Sequence, residues 1–370
     1  MHTDRKQLIC LPIEPLSERY TEQWYRRIPE ALSKAGFDVF IINGEPLLED
    51  DIKVGTFLDI NSTCHYKSTQ LQYLAGMFNR GEVEDGAIIF VFDTEFWGLE
   101  QIRLMAQMNK VKVHLVSFLH AASYTKGDAF EVAAPYQQYT EVGWIAACDK
   151  VFVGSLYHKK AVMTRRLAPL NALHLADRIK VTKNPIFLSE YQKLGKLIPK
   201  QKKILLTNRL DTEKNPIVTI DLFRDLKKQF PEWQFVITSS RKTLRSNDDA
   251  VVRQALLAQE DGVLDIKVNL TKQQYHEELA SAVMMVSHSR EENYGYCIAE
   301  AMIYGCAPVL TDAASHPEFV SSKWLFRDMG HDTMIRHMRA YEENPFYFME
   351  EMDDLDTDGM RNIIHELRTL

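Results

Sequence analysis

Short, unbroken apolar runs recur along this chain and limit its fold more than any other feature. Ala87–Phe92 reads AIIFVF, and later runs read ILLT (Ile204–Thr207) and VMMVS (Val283–Ser287). A strand with one wet face alternates apolar and polar residues. Continuous runs of this length instead fit strands covered on both faces, as in a parallel sheet. Leu8–Ile13, Asp38–Ile42, Lys112–Phe118, Lys150–Val153, Gln234–Thr238, Pro308–Thr311 and the stretch near Ile266–Val268 also read as strands. Between them lie segments of helical character near Thr21–Ala35, Leu99–Asn109, Leu156–Leu167, Pro216–Phe230, Gln273–Ala282 and Gly295–Tyr304. Strand and helix in alternation predict an α/β fold.

The 370 residues suffice for two such domains. After Val181 the texture changes, and Lys193–Lys203 is polar, basic and broken by glycine and proline. We read 183–203 as a linker, 1–182 as one domain and 204–340 as a second. Helices in 341–370 are expected to pack back toward the first. A cleft between two α/β halves is the default ligand site. The net charge of −7 gives no global field toward nucleic acid or anionic membrane. The five cysteines form no C-x-x-C pair, so neither a zinc site nor a disulfide framework is indicated. No apolar stretch reaches the ~18 residues of a membrane span, and the first residues lack a signal-peptide apolar region. The expectation is a soluble cytoplasmic protein, monomeric or weakly dimeric, without a membrane partner.

The stretch carrying most chemistry is Ser287–Thr311. A strand ends at Ser287, and a polar loop follows with Glu291, Glu292 and Asn293. Gly295 then allows a close turn into a helix. The N–H groups and dipole at that helix start form an anion site. Glu300 lies inside the helix, where its carboxylate can accept from a ribose diol while phosphates occupy the helix start. Glu292, eight residues earlier in sequence, reaches the next moiety outward.

This run resembles the E-x7-E signature of retaining GT-B glycosyltransferases of the group 1 type: Glu292-(x7)-Glu300, then Ala301-Met302 and Gly305-x-x-Pro308. The resemblance implies two Rossmann-like domains facing each other across a cleft, the second binding a nucleotide-sugar donor. It also implies that Glu292 contacts the donor sugar and Glu300 the ribose. Asn293 and Tyr294 stand where the family has glycine and phenylalanine. Leu205–Asn215 resembles the family's G-R-x-x-x-x-K-G segment, whose cations bind the diphosphate. Arg209 and Lys214 take those roles, and Asn208 and Asn215 replace the glycines. Asparagine tolerates the left-handed backbone better than other side chains. By position, Asn269-Leu270 packs against the nucleotide base, with Ser239–Lys242 also near the donor.

The first half carries less signal. Pro12-Ile13-Glu14-Pro15 stands where the family often has a Gly-Gly loop. His120 resembles a family histidine that hydrogen-bonds the transferred sugar, or it simply caps a strand. Asp93, in Asp93-Thr94-Glu95, either orients or deprotonates an acceptor hydroxyl, or caps the next helix. Two cations and a helix dipole oppose the diphosphate charge, so no metal or other cofactor is expected, and Asp356-x-Asp358 reads as solvated surface.

Retention with front-face departure is what the resemblance implies, with the 181–203 segment as hinge. The acceptor stays open. Tyr136, Tyr139 and Trp144, followed by Lys159-Lys160 and Arg165-Arg166, loosely resemble a segment of enzymes that glycosylate modified nucleobases. A hydroxylated base in DNA or RNA is therefore one candidate acceptor, alongside saccharides and small molecules. The bland alternative is a helix with a solvated basic face over an aromatic core. A nucleotide-sugar epimerase-like enzyme is the competing class.

Overall fold

The computed structural model describes residues 5–16, 20–47, 59–126, 130–188, 198–352 and 354–370. They form two compact units, Met1–Ile186 with Thr357–Leu370, and Phe187–Asp356. Residues 189–197 of the expected linker lie outside the described ones.

The first unit runs β1 (Gln7–Leu11), α1 (Tyr20–Lys34), β2 (Asp38–Ile41), α2 (Ile60–Arg80), β3 (Ala87–Val91), α3 (Leu99–Met108), β4 (Val113–Leu119), α4 (Ala134–Ala147), β5 (Lys150–Val153), α5 (Leu156–Val162) and β6 (Ile179–Val181). Its strands pair in parallel in the order β2-β1-β3-β4-β5-β6. β1 and β3 are buried along their whole length, as their unbroken apolar runs require, whereas edge strand β2 is largely exposed. Trp144 lies in the core among Leu115, Val151 and Ile179.

The second unit runs β7 (Gln201–Leu206), α6 (Pro216–Gln229), β8 (Gln234–Thr238), α7 (Asp249–Glu260), β9 (Asp265–Lys267), α8 (Lys272–Ser281), β10 (Ala282–Ser287), α9 (Tyr296–Ile303), β11 (Ala307–Thr311), β12 (Leu325–Phe326), α10 (His331–Glu343) and α11 (Tyr347–Glu351). This sheet is also parallel, in the order β12-β11-β10-β7-β8-β9. Of the expected C-terminal piece 341–370, α11 groups with the second unit. The last helix, α12 (Gly359–Arg368), groups with the first. There, Lys150 pairs with Glu366 at 2.7 Å, and Asn362 Nδ2 donates to Thr182 O at 3.1 Å.

Each sheet places its functional loops by the same rule. In the second, the chain steps from β7 outward through β8 and β9, then returns to β10 on the other side of β7 and moves away through β11. The loops leaving β7 and β10 therefore diverge, and a crevice opens at their carboxyl ends. In the first sheet the switch falls between β1 and β3. Among the described residues, no helix is long and apolar enough to cross a membrane.

Candidate active site

The switch point of the second sheet brings together the two motifs singled out in the sequence. Asn208, just past β7, is buried, and its Nδ2 donates to the hydroxyls of Ser287 (3.2 Å) and Ser289 (3.0 Å) at the end of β10. Of the two asparagines in glycine positions, only Asn215 adopts the left-handed backbone, at φ 52°. Asn208 instead ties one loop to the other. The turn Thr212–Lys214 starts at Asp211, and Arg290 N donates to Glu213 O at 2.9 Å. Lys214, 77 residues from Glu291, then crosses between the loops. Its Nζ donates to Glu291 O at 2.7 Å and Glu292 Oε2 at 3.0 Å.

Lys214 and Glu292 thus form an ion pair with side chains only 10% and 15% exposed. Burial pushes the Glu292 pKa up, but the Lys214 ammonium outweighs it and holds the carboxyl below its ordinary range. Arg209 lies between two acids, with Nη1 3.1 Å from Asp211 and Nη2 2.9 Å from Glu213. Burial raises the pKa of Glu213, against the opposing pull of Arg209. The predicted cations are therefore both present, and both are already met by carboxylates.

Gly295 opens α9 at φ 92° with no side-chain cap, and Ile298 N and Ala299 N both donate back to its carbonyl, at 3.1 and 3.2 Å. A Cβ at Gly295 would lie 2.8 Å from Ile298 Cδ1 and 3.3 Å from Glu292 Cγ, so glycine is needed both for conformation and for space. Further along α9, Glu300 lies 3.9 Å from Lys272 Nζ, and its charge, after burial, helps raise the pKa of Tyr275. Lys272 and Tyr275 are site residues that sequence reasoning missed. They face Glu300 only because α8 packs beside α9. Cys297 sits in the same turn, and burial pushes its thiol up to about 12, so it is an inert neighbour rather than a nucleophile.

The remaining donor-side residues divide. Asn293 is half-buried in the loop. Tyr294 is buried, its ring 5.0 Å from Phe319 and 5.6 Å from Tyr296, so it forms a wall behind the loop. Asn269 takes the left-handed backbone at φ 55° and donates its N–H to Arg241 O at 2.6 Å, while Leu270 N donates to Ser239 O at 3.2 Å. The loops after β8 and β9 are zipped together there.

In the first unit, Asp93 and His120 lie at the sheet's carboxyl edge, and neither side chain is idle. Lys67, on α2, donates to Asp93 Oδ2 at 2.6 Å and to Glu95 O at 2.5 Å. Burial alone would raise the Asp93 pKa, but Lys67 and then His120 pull it below its ordinary value. His120 has Phe92 O 2.8 Å from Nε2 and the Tyr20 hydroxyl 3.4 Å from Nδ1, and burial lowers its pKa. That is the arrangement of a histidine capping a strand end. Glu14, in the segment that stands where the resembled family often has a Gly-Gly loop, accepts from Ser62 Oγ (3.0 Å) and Thr63 Oγ1 (2.9 Å) at the start of α2. A carboxylate therefore occupies the place of backbone donors.

The aromatic and basic cluster does not form one surface. Tyr136 and Tyr139 are exposed, at 70% and 64%, whereas Trp144 is buried in the core. Arg166 is buried as well, paired with Glu141 and donating to Ser123 Oγ at 3.1 Å. Among the described residues, no group of three or more His, Cys, Asp and Glu side chains could hold a metal ion. Asp358 of the acidic stretch pairs with Arg361.

Comparison with known proteins bears on the fold. The catalytic domain of starch synthase IV from Arabidopsis thaliana, bound to ADP and acarbose, superposes with a TM-score of 0.66 at 13% identity, covering 99% of both chains. The UDP-forming α,α-trehalose-phosphate synthase of Burkholderia vietnamiensis gives a TM-score of 0.62 at 12% identity over 100% of both. The fold is that of the GT-B glycosyltransferases. The family Glycosyl transferases group 1 is matched over residues 190–357, so the second unit is a domain of that family. A GDP-mannose:cellobiosyl-diphosphopolyprenol α-mannosyltransferase of Xanthomonas oryzae pv. oryzae (strain PXO99A) is 30% identical over 148 residues, 39% of this chain. The chain spans about a third of that relative's length, 36%.

Proposed function

We propose that the protein transfers a sugar from a nucleotide-sugar donor, bound by the second unit, to a hydroxyl of a saccharide acceptor, with retention of anomeric configuration. The observation carrying this reading is the Lys214–Glu292 pair beside the uncapped start of α9, with Glu300 further along the same helix. In this reading the ribose diol donates to Glu300 and the diphosphate lies at the helix start and Arg209. Glu292, kept ionised by Lys214, accepts from the sugar's hydroxyls. Catalysis is then positioning and electrostatics, with the departing phosphate taking the acceptor's proton. Cations and helix dipole do the work a divalent metal would do, and the reaction needs none.

A saccharide acceptor is favoured over a nucleobase because Trp144 and Arg166, needed for a stacking and basic surface, are internal. The names of the relatives, which include a cellobiosyl-lipid mannosyltransferase and a starch synthase, point the same way. Thermal stabilisation by a panel of nucleoside diphosphates tests the donor site. We expect one base to raise the melting temperature of the wild type and to lose most of that effect in Glu300→Ala. A panel that shifts nothing removes the reading.

A further inference from the structure

Glu300 is the carboxylate expected to accept from the donor's ribose, and a carboxylate alone reads only half of a hydroxyl. Each ribose hydroxyl has one proton to donate and two lone pairs to be satisfied. Once the nucleotide has displaced water, those lone pairs need a donor, because a desolvated acceptor without one costs free energy. A site that holds a ribose firmly therefore sets a donor beside its carboxylate.

Helix α8 brings that donor. Its first turn is fixed by a reciprocal cap, in which Gln274 N donates to Thr271 Oγ1 at 3.2 Å and Thr271 N donates to Gln274 Oε1 at 2.9 Å. Lys272 follows the cap as the first residue of the helix. Farther along, α8 is held against α9. The His276 and Tyr304 rings lie 5.0 Å apart, and Lys200 Nζ donates to Ala282 O and Tyr304 O, both at 2.8 Å, where the two helices end. Lys272 Nζ thereby comes 3.9 Å from Glu300 Oε1, with side chains 29% and 12% exposed, so neither is sealed from solvent. That separation exceeds a hydrogen bond, and a hydroxyl oxygen at ordinary hydrogen-bond distance from both atoms closes a triangle with it.

We propose that Lys272 and Glu300 read one ribose hydroxyl together, the hydroxyl donating to Glu300 while Lys272 Nζ donates to its oxygen. The inference rests on the donor reading above and deepens it. It gives α8, outside both recognised motifs, a share of the nucleotide site. It also makes the pair a selector of ribonucleotide over deoxyribonucleotide donors.

The test uses the full-length protein with Lys272→Met and Lys272→Arg. ADP, GDP and UDP are titrated by calorimetry, and the tightest binder is compared with its 2′-deoxy and 3′-deoxy analogues. The wild type should prefer the ribonucleotide over one of the analogues by about tenfold or more, as expected for hydrogen bonds to charged groups. Lys272→Met should narrow that gap to about threefold or less by weakening the ribonucleotide alone. Its affinity for the analogue should stay at the wild-type level, which also shows that the variant is folded with its site formed. Lys272→Arg, which keeps a cationic donor, should retain part of the gap. A lysine that only balances the Glu300 charge or supports α8 would weaken ribonucleotide and analogues equally in Lys272→Met, leaving the gap intact. That result overturns the proposal, as does a wild type that binds ribo and deoxy forms alike while the donor site itself stands. A wild type that binds none of the three diphosphates overturns the donor reading instead, and this inference with it.

Discussion

At Glu292, burial and a lysine act in opposite directions, and the lysine wins. The same contest decides how the protein responds to acid. Burial lowers the pKa of His158 to about 3, and those of His276 and His337 to about 4, against an ordinary 6.5. Each is neutral in the folded protein, while the unfolded chain takes up a proton below pH 6.5. Their contribution is therefore complete above pH 6.5 and is lost as pH falls toward the folded values. The paired carboxylates Asp93 and Glu292, held below 3.8 and 4.5, add a further loss only beneath about pH 4.5. Urea midpoints measured from pH 8 to pH 4 should start to decline near 6.5, by at most about 1.4 kcal/mol per pH unit for each histidine. A midpoint flat down to pH 5 would show that these histidines are charged in the fold. That Arg209, Lys214, Glu292 and Glu300 gather at one switch point was legible in the sequence because motif spacing fixes their places on the loops and helix. Their counter-ions Asp211 and Glu213 were printed in the same segment, but only the turn geometry turns them toward Arg209. Lys67 was not legible, since 26 residues separate it from Asp93.

Among the elements, α9 is the one on which the donor proposal rests most, eight residues opened by a glycine in the left-handed region. Gly295→Ala forces a Cβ into Ile298 and Glu292 at an unfavourable φ. It should cost about 1–2 kcal/mol of stability and weaken donor binding more than tenfold by turning Glu292 away. Denaturant unfolding together with nucleotide titration checks both, and unchanged binding would mean that the helix start does not face the ligand. Most strands were readable from continuous apolar runs, and Lys150–Val153 and Gln234–Thr238 fall where those runs lie. Helix α2 escaped notice for a physical reason. Its buried face includes Ser62, Thr63, Lys67 and Gln70, which bond the segments after β1 and β3, so the apolar period is weakened where it would announce a helix. In α7 the buried residues Val251, Ala255 and Ala258 are small, and Leu256 and Leu257 are exposed, which blurs the same signal.

At the scale of the whole molecule, two parallel six-stranded sheets each put a polar cluster at a topological switch point. The second sheet's cluster is rich in opposed charges suited to a nucleotide sugar. The first sheet's cluster holds the Lys67–Asp93 pair, with Glu14 engaged by Ser62 and Thr63 and His120 by Phe92 O. The motif stretch 204–311 was readable because backbone turns and charged contacts there depend on local spacing. The first half was less so because its polar groups pair across long sequence distances. The central claim is sugar transfer with retention and without metal. It is tested most directly by incubating the protein with the nucleotide sugar it binds and a series of oligosaccharides, in the presence of a chelator, and reading the anomeric configuration of the product by NMR. The account predicts a glycosylated acceptor with the donor's own configuration and a yield the chelator does not change. An inverted product, transfer abolished by chelation, or a donor sugar converted with nothing attached to the acceptor would contradict it.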